Sequence, residues 1–215
     1  MYTVNRIDQI FNINRIEHML HHSNLENVFR QGLLSHKIAH EQGLIQQDIS
    51  MPEVQSLRSN KNIRIADRVF QLHEFVPFYF NTRNPMLYRR KNIQNELVIL
   101  CVDATVLNQD NTIFSDGNAA NKTTKFFKNS HNLLNVPFEL IFGGSWNSEV
   151  EAVKKENVRK MCAEVLVYPS VSVDLIRTIA CPNQAMYDFV VNLKQRIGAS
   201  VQHIEVEVQT GYFFL

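Results

Sequence analysis

The run ELVILCVD, Glu96 to Asp103, sets six apolar side chains in succession between acidic ends. So short an unbroken apolar run reads as a central strand covered on both faces. A chain that holds such a strand must place packed layers on either side of a sheet. AEVLVY, Ala163 to Tyr168, is a second strong strand, and Leu175 to Cys181 a third. Further strands are expected at Arg15 to Leu20, Phe75 to Phe80, Thr112 to Ser115 and Val201 to Val208.

Helices fall between them without regular βαβ alternation. Met186, Phe189, Val190, Leu193 and Ile197 recur at helical spacing, so Gln184 to Ile197 is a helix. Ser23-Asn24-Leu25-Glu26 has the form of a capping box, and Gly32 stands where a helix-ending glycine belongs. Ser50-Met51-Pro52-Glu53 opens a second helix that carries Val54 and Arg58. Asn84-Pro85 caps a short helix through Tyr88. Asn118 to Lys128 is expected to be helical, and Gln42 to Ser50 to be a mobile polar loop. The sum is an α+β fold with a central mixed or antiparallel sheet and surrounding helices. No repeat or low-complexity linker divides residues 1–215, so one domain is expected.

Composition narrows the function. The net charge of +1 gives no global attraction to nucleic acid, so such binding would need a local basic patch. The three cysteines are odd in number and widely spaced, which suits reduced thiols in an intracellular protein. No membrane span or signal peptide is evident, and a cytoplasmic location is expected. His18 and His22 are four apart, but they precede the expected helix start, so no metal site is expected there. Gly143-Gly144 belongs to neither a dinucleotide-binding nor a phosphate-loop pattern.

Two features suggest chemistry. Glu164 enters an otherwise apolar strand, where a fixed carboxylate can stabilise a cation or accept a proton. The alternative is a carboxylate that merely begins the strand and points to water, and spacing alone favours that alternative. In LHEFVPFYFNTRNPMLYRR, Leu72 to Arg90, rings are followed at once by Arg83, Arg89 and Arg90. The first half suits a core strand. The second offers rings for stacking and cations for phosphates, the combination that single strands need.

Four stretches in this order resemble the DarT-type ADP-ribosyltransferases. HMLHHSNLENVFRQGLL is similar to that family's H-I-T-H-x-D-N-L segment, with His18, His21, Asn24 and Leu25 on the matching positions. FVPFYFNTRNPMLY resembles its Y-V-P-F-Y-F-x-x-R-S-P-M-L-Y, IFSDGNAA its F-T-D-G-H-A, and RKMCAEVLV its R-x-x-A-E-F-L-V. Leu20 stands where the family has Thr, Asn118 where it has His, and Leu57 where it has Arg. The resemblance implies an ADP-ribosyltransferase-like sheet and NAD as co-substrate, with no metal. It implies transfer of ADP-ribose to a nucleobase of single-stranded DNA. It also implies a toxin opposed by an ADP-ribosylhydrolase-type antitoxin. Glu164 falls on the catalytic glutamate and Arg58 on the catalytic arginine. His18 and Asn24 would seat NAD, with Tyr79 and Phe80 walling the nicotinamide. Arg83, Met86, Tyr88, Arg89 and Arg90 would meet the strand. Transfer to RNA, or nucleic-acid binding without catalysis, are the alternatives.

Overall fold

A computed structural model describes residues 12–65, 67–128 and 130–215. The strands are β1 (Arg15–His21), β2 (Leu33–Leu34), β3 (Asn62–Ile65), β4 (Arg68–Gln71), β5 (Val76–Tyr79) and β6 (Leu97–Asp103). They continue with β7 (Thr112–Ser115), β8 (Phe126–Phe127), β9 (Glu164–Val167), β10 (Ser170–Val171), β11 (Ile176–Cys181) and β12 (Glu205–Val208). The helices are α1 (Leu25–Gln31), α2 (His36–Glu41), α3 (Pro52–Ser59), α4 (Pro85–Tyr88), α5 (Phe138–Gly143), α6 (Glu151–Met161) and α7 (Gln184–Ile197). One eight-stranded sheet runs β12-β11-β6-β1-β5-β9-β7-β8. Its pairings are antiparallel except β11 with β12, which makes the sheet mixed and the fold α+β.

The apolar run in β6 sorts by the two-residue period of a strand. Val98, Leu100 and Val102 join the main core, with Leu25, Val28 and Phe29 of α1 and Met186, Val190 and Leu193 of α7. Leu97 and Ile99 face the other way, onto Met19, Leu87, Ala180 and Phe213. β9 divides likewise: Val165 and Val167 enter the main core, and Leu166 packs with Ile63, Leu72, Phe75, Ile113 and Ala119. β9 therefore has a fixed parity, and Glu164 shares the Leu166 face.

Several local expectations give way to tertiary contacts. Ser23 does not form the capping box: its hydroxyl meets His21 Nδ1 at 2.8 Å, and α1 starts after Asn24 without a side-chain cap. Ser50 does not cap α3 either, because its hydroxyl donates to Asp48 Oδ1, and Met51 takes the N-cap place. Residues 118–128 are not helical. Asn118 Oδ1 accepts from the Ala120 amide and Asn121 Oδ1 from the Thr123 amide, so side chains compete with helical bonding and hold turns. Phe126 and Phe127 then pair with β7 as β8. Only Glu205–Val208 of the expected last strand is extended. The loop 42–50 is fastened rather than loose, because Asn24 bonds Gln46 and Gln47 and Asn27 Nδ2 donates to the Leu44 carbonyl. Among the described residues no helix is long and apolar enough to cross a membrane.

The Asp116-Gly117-Asn118 turn is clamped by Arg159, in the last turn of α6. Arg159 is 8% exposed, and its Nη1 donates to Asp116 Oδ1 at 2.9 Å and to Thr124 Oγ1 at 3.1 Å. Its Nε and Nη2 fork onto Glu156. The Arg159 carbonyl accepts from the Asn118 amide at 2.8 Å. Gly117 is required by this closeness: a Cβ there would sit 2.4 Å from Arg159 Nη1 and 2.9 Å from its carbonyl oxygen. Gly117→Ala should therefore lower unfolding free energy by about 1–3 kcal/mol in urea titrations. Gly211→Ala, which meets nothing within 4 Å, should stay within about 0.5 kcal/mol of the parent.

Candidate active site

Glu164 opens β9 opposite Tyr79 of β5, and it is 1% exposed. Its backbone is fixed first: the Glu164 amide donates to Ser115 Oγ at 2.9 Å, and that hydroxyl in turn bonds the Gly117 carbonyl. Its carboxylate does not point to water. Arg58 Nη1 donates to both oxygens, at 3.2 and 3.0 Å, and the Ala119 amide donates to Oε1 at 2.8 Å. A buried charge persists only when paired and hydrogen-bonded, and this carboxylate has both kinds of partner. The Arg58 side chain is itself only 11% exposed, so it is no solvated surface charge. α3 delivers it, and the clamped Asp116–Asn118 turn delivers the Ala119 amide.

Glu164 and Arg58 line one large cavity with His18, Asn24, Tyr79 and Met86. The cavity exists because β1 and β5 pair at a single point, Glu17 opposite Tyr79. Past that point the strands part, and His18 Nδ1 donates to the Pro77 carbonyl at 2.7 Å in place of a ladder bond. Residues of both parities in β1, from His18 to His21, consequently reach the cavity. Burial holds His18 below the usual histidine range, so it stays a neutral ring. Burial, and then the Glu164 charge, raise the Tyr79 phenol well above its ordinary value, so it stays protonated. Asn24 reaches the cavity, but its amide is engaged with the 42–50 loop.

Phe80 is not part of this site. It follows Tyr79 and so faces the opposite side of the sheet, where it is 3% exposed and meets Phe138 edge-on. The rest of the aromatic-basic stretch lies farther out. Tyr88 is 44% exposed and makes edge contacts with Trp146 and Phe214. Arg83 donates from Nε to the Phe213 carbonyl and covers the Phe214 ring at 4.3 Å, beside a second cavity. Arg89 is exposed, and Arg90 is half-buried. Thus Met86 alone of this group lines the Glu164 cavity, while Tyr88 joins an outer cluster of rings.

Other lining residues carried no sequence signal that singled them out. Gln55 lies one turn before Arg58 on α3, which was the available hint. Its Oε1 accepts from His73 Nε2 at 2.6 Å, and its Nε2 donates to Ser50 Oγ. His73 is lowered to about 4, first by burial and then by neighbouring cations. Asn118 also lines the cavity. The arrangement is a broad apolar wall with a few convergent polar groups and one rigid ion pair, as in sites that seat an aromatic, charged small molecule.

The family model "ssDNA thymidine ADP-ribosyltransferase, DarT" matches residues 18–214. The DNA ADP-ribosyl transferase of Thermus sp. (strain 2.9) is 27% identical over 188 residues, covering 83% of this chain and 86% of that protein. A DNA ADP-ribosyl transferase–DNA ADP-ribosyl glycohydrolase fusion protein of Thermosipho africanus (strain H17ap60334) is 27% identical over 208 residues. That match covers 92% of this chain but 49% of the fusion, so the chain spans about half the length of that relative. The structure of Thermus sp. 2.9 DarT in complex with ADP-ribosylated ssDNA shares the fold, with a TM-score of 0.83 at 23% identity over 94% of this chain and 97% of that one. The same Thermus protein in complex with NAD+ gives 0.74 at 23% identity, over 94% and 98%. The family match spans most of the sheet and the Glu164–Arg58 pair, and the chain belongs to the DarT family of ssDNA thymidine ADP-ribosyltransferases.

Proposed function

We propose that this enzyme transfers ADP-ribose from NAD to a thymine base of single-stranded DNA, with Glu164 as the catalytic group. The observation that carries this reading is the buried Glu164 carboxylate, fixed by Arg58 and the Ala119 amide on the wall of the cavity. NAD is the co-substrate, and the residues present suit it. Leu44, Ile49, Val54 and Met86 offer apolar surface to its flat rings, and Arg58 offers a cation to its pyrophosphate. The solved Thermus complexes with NAD+ and with ADP-ribosylated ssDNA support both substrates.

NAD supplies an ADP-ribosyl group whose anomeric carbon becomes electron-poor as nicotinamide departs. Glu164 presents a negative charge already oriented toward the cavity, so no reorganisation is needed when that positive charge develops. Thymine in a nucleoside has one ring N–H, which must be lost when that nitrogen is alkylated, and in this reading Glu164 takes the proton. Arg58 holds the carboxylate aimed in the resting enzyme. His18, neutral and tied to Pro77, holds the parted edges of β1 and β5 and presents its remaining ring edge to the cofactor. Tyr88, Met86, Arg83, Arg89 and Arg90 form the approach for the DNA strand, by stacking and by phosphate contact.

The enzyme acts as a toxin whose mark is removed by an ADP-ribosylhydrolase-type antitoxin. The Thermosipho relative supports this pairing, because it joins a transferase and a glycohydrolase in one chain.

Mass spectrometry of thymidine-containing single-stranded oligonucleotides, incubated with the protein and NAD, should show the added mass of one ADP-ribose. Oligonucleotides without thymidine, and RNA, should stay unmodified; modification of RNA alone would overturn the DNA assignment. Glu164→Gln should lower transfer by roughly 100-fold or more while changing NAD affinity far less. Its folding should be checked by circular dichroism, because the change leaves Arg58 without its anionic partner.

Protonation of His18 sets an acid limit. Its folded pKa is lowered, so the unfolded chain takes up the proton first and stability falls as pH drops below about 6.5. Urea midpoints measured at pH 7.5 and 5.5 should show this loss. His18→Gln should show a smaller drop between the two pH values.

A further inference from the structure

A cluster of imidazoles on the rim of the cavity belongs neither to the Glu164 centre nor to the strand approach. His36 and His40 lie four apart on α2, so their rings share one face of the helix and stand 4.0 Å apart. The loop that follows folds back and brings Asp48 against them. Asp48 Oδ2 is 3.4 Å from His36 Nε2 and 4.0 Å from His40 Nε2. One donor atom from each of the three residues lies within 4.8 Å of the other two.

We propose that His36, His40 and Asp48 form a binding site for a divalent transition-metal ion of the zinc class. Three observations carry it. The first is donor geometry. Zinc bonds of about 2.0–2.1 Å at tetrahedral angles place ligand atoms about 3.3 Å apart. The His36–Asp48 pair is already at that separation, and His40, half-exposed, closes the rest by a small side-chain rotation. The second is donor type. Two imidazoles and one carboxylate select zinc-class ions over magnesium, which takes oxygen ligands. The third is the support behind the carboxylate. Asp48 Oδ1 accepts from the Ser50 amide at 2.8 Å and from its hydroxyl, which turns Oδ2 toward the rings. Such outer partners fix the orientation of metal-binding carboxylates. Three protein ligands leave the fourth position to water.

The site would act on the cavity through the loop. Residues 44–50 contribute Gln47, Ile49 and Ser50 to the cavity wall, and the ion would fasten this segment to α2. From Ser50 a hydrogen-bonded chain continues through Gln55 of α3 to His73. Gln55 is one turn from Arg58, so occupancy of the rim is connected to the helix that carries the Glu164 partner.

Calorimetric titration of Zn²⁺ into tag-free protein at pH 7.5, without NAD or DNA, tests the site apart from the transferase reading. One zinc per chain should bind. His40→Ala and Asp48→Asn should each weaken that binding by at least about tenfold, and Mg²⁺ should not compete. Zinc should raise the unfolding temperature of the parent and not of the two variants. Both positions are exposed, so the variants should fold, as far-UV circular dichroism would confirm. The absence of zinc binding in the parent would overturn the proposal, as would equal affinity in the parent and both variants.

Discussion

The ion pair between Arg58 and Glu164 is the constraint around which the rest of the structure is arranged. A carboxylate 1% exposed survives as an anion only where partners replace its lost water. Here the partners come from separate segments: α3 supplies the guanidinium and the turn before β8 supplies the Ala119 amide, while Ser115 of β7 holds the Glu164 backbone in place. None of these reaches the carboxylate without the sheet order that puts β9 between β5 and β7. The Arg159 clamp works one layer further out. It fixes the turn whose amide binds Glu164, and it needs Gly117 to come so close.

The second constraint is where the sheet parts. β6 and β1 pair along seven residues, whereas β1 and β5 meet at one. A fully zipped sheet would close the cavity. His18 spans the start of the opening by bonding a strand carbonyl from its side chain, so the backbone group is satisfied while the strands separate. The same opening lets the 42–50 loop, fastened by Asn24 and Asn27, form the cavity wall. The cavity and the loop on its rim thus meet where one strand pairing ends early.

Much of the sheet was legible in the sequence because its strands are buried on both faces. An apolar run such as Leu97–Val102 has few other ways to satisfy itself. α7 was legible because Met186, Val190 and Leu193 keep helical spacing, and α4 because Asn84 caps it with its own side chain. The misread segments are those where short polar side chains choose among nearby partners. Ser23 bonds His21, Ser50 bonds Asp48, and Asn118 and Asn121 bond their own turns. Each could have capped a helix, and only the surrounding contacts decide. α2 was missed for the related reason that six residues with little apolar periodicity give no pattern to read, and with it the relation of His36 to His40 was hidden.

The sequence by itself determined an α+β protein with a central sheet, surrounding helices and an acidic residue set into a core strand. Through ordered motifs it also determined the family resemblance. It could name Glu164, Arg58 and His18, since each sits in a recognisable stretch. Only the tertiary structure decided that Arg58, 106 residues earlier, lies against the Glu164 carboxylate, that Phe80 turns away from the cavity, and that Tyr88 meets Trp146 and Phe214. The physical reason is that helical and strand periods fix which face a side chain takes on its own element. Which elements then face each other depends on strand order, and on where a pairing stops, and these are set by contacts between residues far apart in the chain.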